Sequence, residues 1–346
     1  MRGFGMIDKG KVDWIELAEP KLVRETDAII KITGVAFCTS DIHLVESGIM
    51  PSMKGHVIGH EAIGIVDKVG SQVHDFKSGD RVVVHDFSPN YGDLTSQAGM
   101  ANYSPNSSRT TNPNLDGLFT EKVLFERADS GLAHIPDNVT DTQALMVADM
   151  VPTALTGIDF LDIKFGETVL VIGIGPVGLI GVEGAAIDGA GKIIAVGSRP
   201  ATKQVAREYG ANVIIDYHDG PIVDQVLAAN NNQKVDKVLV AGGNNSVIMD
   251  AFNLTRNGGK IANLTLFTVP EISIPTSPSV GDVAYRTLSL NAGRLYLEQL
   301  LSLISYGRIH PENIVTRAYH GFDKIPDSFT YMANKGSDVI KSIVLY

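Results

Sequence analysis

The stretch TVLVIGIGPVGLIGV, residues 168–182, decides the architecture of this chain. Thr168 to Ile172 is a continuous apolar run without polar alternation, which fits a strand buried on both faces. Gly173-Ile174-Gly175-Pro176-Val177-Gly178 follows at once, and a small-residue helix is predicted from Pro176 to Ile187. Gly173 permits the tight turn. Gly175 leaves the backbone open to a pyrophosphate, and Gly178 lets the helix lie close to the strand. The helix start adds free N–H groups and a positive dipole end for the phosphates. With 35 glycines in 346 residues, about a third of one such pattern is expected by chance. The flanking strand and helix therefore carry the inference.

Outward from this turn the same rhythm repeats. Lys192 to Val196 is a second buried run, Ala201 to Tyr209 is helical, and Asn212 to Ile215 is extended again. Further β-like runs stand at Lys237 to Ala241 and Gly259 to Leu264. Strands alternating with helices predict an α/β fold with a parallel doubly wound sheet. The second strand leads into Gly197-Ser198-Arg199, with Gly197 lying 24 residues after Gly173. Folds that bind NAD place an acid there for the ribose hydroxyls, and that acid would repel a 2′-phosphate. Glycine leaves room for the phosphate, Ser198 can donate to it, and Arg199 can pair with it. The expected cofactor is NADP(H) rather than NAD(H).

On either side the pattern changes. Residues 1–152 are β-rich, with runs such as AIIKITGVAF, AIGIVDKVG and RVVVHDF bounded by turn residues. Ser88 to Asp116 is polar and without periodicity, which predicts a long surface loop or lobe. Three parts are expected: 1–152, 153–293 and 294–346. The last holds an amphipathic helix near Leu295 to Ile304, then an apolar run, Ile340 to Leu345, that returns to the first domain as a strand.

The net charge is −10 with no basic patch, which argues against nucleic acid or an anionic membrane as partner. The start of the chain has no signal-peptide pattern, and the most apolar stretch, Val169 to Val182, is too short and too glycine-rich to span a bilayer. Cys38 is the one cysteine, which excludes an intrachain disulfide and a Cys-rich zinc ribbon. A reducing, cytoplasmic location is expected.

That cysteine lies in CTSDIH (38–43), and GHE (59–61) follows. A catalytic zinc needs about three N, S or O ligands and one open position. Cys38, His60 and a carboxylate would supply them, with Glu61, Asp86 and Asp149 all eligible as the acid.

Together these segments resemble the zinc-dependent medium-chain alcohol dehydrogenases, and within them the bacterial NADP-dependent secondary alcohol dehydrogenases. The likeness runs through CTSDIH (38–43), GHEAIG (59–64), GDRV (79–82), VADM (147–150), VIGIGPVGL (171–179), VGSRP (196–200), IVDQV (222–226), AGG (241–243) and YHGFD (319–323). The resemblance implies a GroES-like catalytic domain joined to a Rossmann domain. It implies one catalytic zinc on Cys38, His60 and Asp149, with Glu61 as a ligand that approaches and withdraws, and no structural zinc. Ser40 is implied to touch the substrate oxygen, His43 to continue a proton path, and Tyr217 to stand near the adenosine 2′-phosphate beside Ser198 and Arg199. A small alcohol or ketone substrate and a homotetramer are implied as well. One departure is plain: members of the subgroup carry a tryptophan before the segment matching Asp116-Gly117, where this chain reads SSRTTNPN (107–114) and has its one tryptophan at Trp14.

The expected activity is hydride transfer between NADP(H) and small secondary alcohols or ketones. Other readings are a polyol or amino-alcohol dehydrogenase of the same superfamily, a zinc-free quinone or enone reductase, and a non-catalytic NADPH-binding protein on this fold.

Overall fold

A computed structural model of the chain describes all residues except 49, 86, 110–116, 268, 270 and 276–281. The chain folds as two compact units, Met1–Pro152 with Asn291–Tyr346, and Thr153–Leu290. The second crossing falls at 290–291, slightly before the change of pattern near 293.

The unit Thr153–Leu290 is built on a six-stranded parallel sheet. Its spatial order is Val213–Ile215, Lys192–Val196, Thr168–Ile172, Val235–Val240, Thr255–Asn263, Ala284–Thr287. The first strand in sequence is thus central, and the order reverses beside it, as in doubly wound folds. Val169, Leu170 and Val171 are fully buried because helices cover both faces. The helix Pro176–Ile187 earns its place by smallness: a Cβ on Gly181 would stand 2.3 Å from Leu239, and one on Gly184 2.5 Å from Leu155.

The other unit is a β-rich module. A mixed sheet runs in the order Ala133–His134, Arg81–His85, Glu61–Val69, Ala28–Ala36, Lys341–Leu345, Val315–His320, with Lys122–Phe125 also pairing on Ala28–Ala36. The strand Lys341–Leu345 pairs antiparallel with Gly34 to Ala36, so the end of the chain returns to its beginning. A second sheet joins Lys11–Glu16, Arg2–Asp8 and His56–Val57. The core between them holds an aromatic group: Phe37 meets Phe119 edge-on at 4.4 Å, and Phe4 and Phe329 at 6.5 and 5.6 Å. Trp14 packs on this core through Phe4 and Phe322.

The stretch from Ser88 holds more structure than its composition predicts. A short helix, Leu94–Gln97, is capped by Asp93, and Phe87–Ser88 pairs with Ser108–Arg109. Phe87, Ala101 and Ala292 form its small core. Most of the segment 107–114, where the family tryptophan is missing, lies outside the described residues. Among the described residues no helix is long and apolar enough to cross a membrane.

Candidate active site

Four potential ligands converge in the β-rich unit. Cys38, His60, Glu61 and Asp149 each offer one atom, and these atoms all lie within 4.8 Å of one another. Phe37, locked in the aromatic core, ends the approach to Cys38, which caps the helix Thr39–Ser47. That position favours negative charge through the free N–H groups and the helix dipole. His60 precedes and Glu61 opens the strand Glu61–Val69 after a forced turn. Gly59 has φ +93°, and a Cβ there would sit 2.3 Å from the Phe119 ring. Asp149 comes from the turn just before the helix Met150–Leu161.

Asp41 sets the histidine. One of its oxygens accepts the Cys38 N–H at 2.9 Å, and the other lies 3.0 Å from His60 Nδ1. With Nδ1 donating to Asp41, a neutral His60 carries its lone pair on Nε2, which stands 3.5 Å from Asp149 Oδ2. Burial works against an imidazolium here. Asp41, Asp149 and Cys38 outweigh it and hold His60 well above the usual histidine range.

Glu61 has an equally specific partner. Its Oε1 accepts from Lys341 Nζ at 2.6 Å, and both side chains are fully buried. Burial pushes the Glu61 carboxyl up to about 8, while Lys341 pulls the other way and Asp149 adds to the rise. Glu61 Oε2 has no hydrogen-bond partner among the described residues. An unsatisfied buried oxygen costs about 1–3 kcal/mol, more if charged. A half-buried thiol, an imidazole with its second nitrogen already held, and two buried carboxylates match the donor types of zinc, whose tetrahedral ligands stand about 3.5 Å apart. The residues fit a divalent cation.

Asp86, the third acid left open by spacing, lies outside the described residues. Ser40 is half-buried and His43 exposed. They stand at i and i+3 on the first turns of the helix Thr39–Ser47, so they share a face.

The glycine turn is equally well built. Gly173 has φ +92°, and a Cβ on it would meet Gly242 at 2.6 Å, which gives the AGG segment its purpose. A Cβ on Gly178 would stand 1.9 Å from the Gly173 carbonyl oxygen. A Cβ on Gly175, by contrast, would meet nothing within 4 Å among the described residues, so they leave an open cradle beside the backbone. Gly175 caps the helix and Pro176 and Val177 begin it, leaving its first N–H groups without helical partners.

At the end of the next strand, Ser198 Oγ donates to the Tyr217 hydroxyl at 3.0 Å. Arg199 caps the helix Pro200–Glu208, and burial lowers its pKa from the ordinary arginine value. Gly197 packs against the glycine turn. A Cβ there would stand 2.2 Å from Ile174 Cγ1, so the space is filled by the turn's own side chain. Glycine at 197 fits against Ile174 without displacing it. Asp41, Lys341 and Ile174 were not singled out from sequence. A lysine opening an otherwise apolar terminal run was the one available signal.

Two family models match the chain: the alcohol dehydrogenase GroES-like domain over residues 24–137 and the zinc-binding dehydrogenase over residues 176–305. The NADP-dependent isopropanol dehydrogenase of Thermoanaerobacter brockii is 40% identical over 352 residues, covering 100% of this chain and 99% of that protein. The protein of the same name from Clostridium beijerinckii is 38% identical, with both chains covered in full. The alcohol dehydrogenase TADH from Thermus sp. ATN1 superposes with a TM-score of 0.92 at 27% identity, covering 100% of this chain and 99% of that one. With the donor cluster, the glycine cradle and full-length likeness in agreement, the chain belongs to the zinc-type medium-chain alcohol dehydrogenase family.

Proposed function

We propose that this protein is a zinc-dependent oxidoreductase that transfers hydride between NADP(H) and small secondary alcohols or ketones. The observation that carries this reading is the largely buried donor cluster, with Glu61 Oε2 left unpaired among the described residues. Cys38, His60 and Asp149 would hold one zinc, with Glu61 as an additional ligand. Zinc bound there would supply Lewis acidity toward a substrate oxygen. Cys38 as thiolate and Asp149 as carboxylate balance the charge of a divalent ion. Asp41 keeps His60 in the ligating tautomer. Lys341 holds Glu61 by one oxygen and leaves the other free to approach or withdraw. Ser40 would touch the substrate oxygen, and His43, one turn along the same helix face, would pass its proton toward solvent.

The unit Thr153–Leu290 serves as the NADP-binding domain in this reading. Gly173, Gly175, Pro176, Val177 and Gly178 form the pyrophosphate cradle, and Ser198, Arg199 and Tyr217 take the 2′-phosphate. One zinc per chain, a homotetrameric assembly and a cytoplasmic location complete the proposal. The lone cysteine supports the first, since a four-cysteine structural site cannot form.

Metal analysis and a panel of short ketones with NADPH and NADH test this reading. One zinc per chain is expected, with NADPH-dependent reduction lost on chelation and regained with zinc. Undiminished turnover by chelated, zinc-free protein would overturn it. Light scattering checks the assembly.

A further inference from the structure

A buried ring touches both turns that carry the candidate thiol and imidazole. Phe119 is fully buried. Its ring meets Phe37 edge-on, with centroids 4.4 Å apart and planes at 63°, and Phe37 is bonded directly to Cys38. The same ring lies on Gly59, where a Cβ would stand 2.3 Å from both Cδ1 and Cε1 of Phe119. Gly59 is bonded directly to His60, with Glu61 next. The ring fits there because glycine has no side chain, and the Gly59 φ of +93° turns the chain at that point.

The backbone that carries the ring is fastened to the same turn. Gly117 N–H donates to the Val57 carbonyl at 2.9 Å, Leu118 N–H to Gly59 at 2.9 Å and Phe119 N–H to Ile58 at 3.1 Å. A Cβ on Gly117 would stand 2.4 Å from the Ile58 carbonyl oxygen, so the two backbones are in close contact. The Phe119 carbonyl accepts from Phe4 N–H at 2.7 Å. Phe4 and Phe329 in turn pack on Phe37, with centroids 6.5 and 5.6 Å away. Asp41 ties the two ligand turns through the Cys38 N–H and His60 Nδ1. Phe119 ties them by packing. A close-packed interior passes the displacement of such a ring to its neighbours, and a metal site tolerates about 0.2 Å in its ligand distances.

We propose that Phe119 is a positioning residue for the metal centre: packed on both Phe37 and Gly59, it sets the spacing of Cys38 and His60 and through it the affinity for zinc. This rests on the zinc reading above. The effect passes through the backbone of the two ligands. Leucine at 119 would remain apolar but leave part of the space beside Gly59 empty, so the His60 turn could relax toward it. Groups that orient metal ligands change affinity by about 10–100-fold. A packing neighbour one residue removed from each ligand belongs at the lower end, about tenfold.

Competition for zinc between the full chain and a chromogenic chelator, with a thermal melt of each protein, tests it on Phe119→Leu, Phe119→Met and Phe125→Leu. Phe125 is the matched control. It is 3% exposed, and its ring lies where a Cβ on Gly131 would stand 2.9 Å from it. Its backbone pairs with Ala28, at the other end of the strand Ala28–Ala36 from Cys38. F119L and F125L should both melt lower, but only F119L should bind zinc about tenfold more weakly. F119M keeps the volume and the fold, and its flexible side chain should weaken zinc binding in the same direction. Zinc affinity in folded F119L or F119M equal to that of the unsubstituted protein would overturn the proposal. An equal weakening in F125L would overturn it too, since general loosening of the core would then account for the loss. Failure of the unsubstituted protein to bind zinc would overturn the zinc reading itself, and this inference with it.

Discussion

Replacing Lys341 by Met probes the structure at its most demanding point. The lysine Nζ stands 2.6 Å from Glu61 Oε1, and neither side chain is exposed to solvent. Methionine keeps most of the packed stem and removes only the charge. Above about pH 8, where Glu61 is ionised beside Lys341, the carboxylate then has to remain charged without a partner or take up a proton. Breaking a buried pair from one side costs about 3–5 kcal/mol. For a unit of about 200 residues, each kcal/mol moves Tm by about 2–4 °C, so K341M should melt about 6–20 °C lower. The loss should be smaller in zinc-loaded protein, where the metal offers Glu61 another positive partner. The double variant K341M/E61Q should recover most of the loss, because it removes the stranded charge as well. Calorimetric melts of the four proteins, with and without chelator, provide the assay. A K341M Tm within about 2 °C of the unsubstituted protein, or a double variant no more stable than K341M, would refute the reasoning.

Three further substitutions separate fold from function. Gly175→Ala should leave Tm unchanged, since its backbone suits alanine and the added Cβ meets nothing, yet weaken NADP binding at least about tenfold; Gly178→Ala should destabilise the protein, because its Cβ would stand 1.9 Å from the Gly173 carbonyl oxygen. Calorimetry of melting and of NADP binding reads both. Asp41→Asn should lower zinc affinity about 10–100-fold in competition with a chromogenic chelator, because the ligand histidine loses its carboxylate partner. The Asp216 carboxyl is held below its unfolded value, so its stabilisation is full above about pH 4 and fades as pH falls toward 2. The stability gap between the unsubstituted protein and Asp216→Asn, measured by urea titration, should accordingly narrow as acid is added.

The parallel sheet was legible because its signals are local. A strand buried on both faces is apolar throughout, and the helices after Gly175 and Arg199 start at proline. The β-rich unit was less so, since its sheet closes only when Val344 pairs with Val35. No local rule identifies a pairing across that much chain. Cys38 and His60 stood out by residue type, but Asp149 sits in VADM without any local cue and was supplied by the family likeness alone. Asp41 and Lys341 have meaning only through their neighbours. A lysine at the start of a buried strand reads as an edge residue until Glu61 is seen beside it. Gly197 was read from the missing acid alone, and its packing against Ile174 came to light only in the structure.

Zinc K-edge X-ray absorption on the metal-loaded protein tests the central claim most directly. The account predicts one sulfur at about 2.3 Å with nitrogen and oxygen ligands at about 2.0–2.2 Å, the sulfur component disappearing in Cys38→Ser. A zinc shell of nitrogen and oxygen alone in the unsubstituted protein would contradict it.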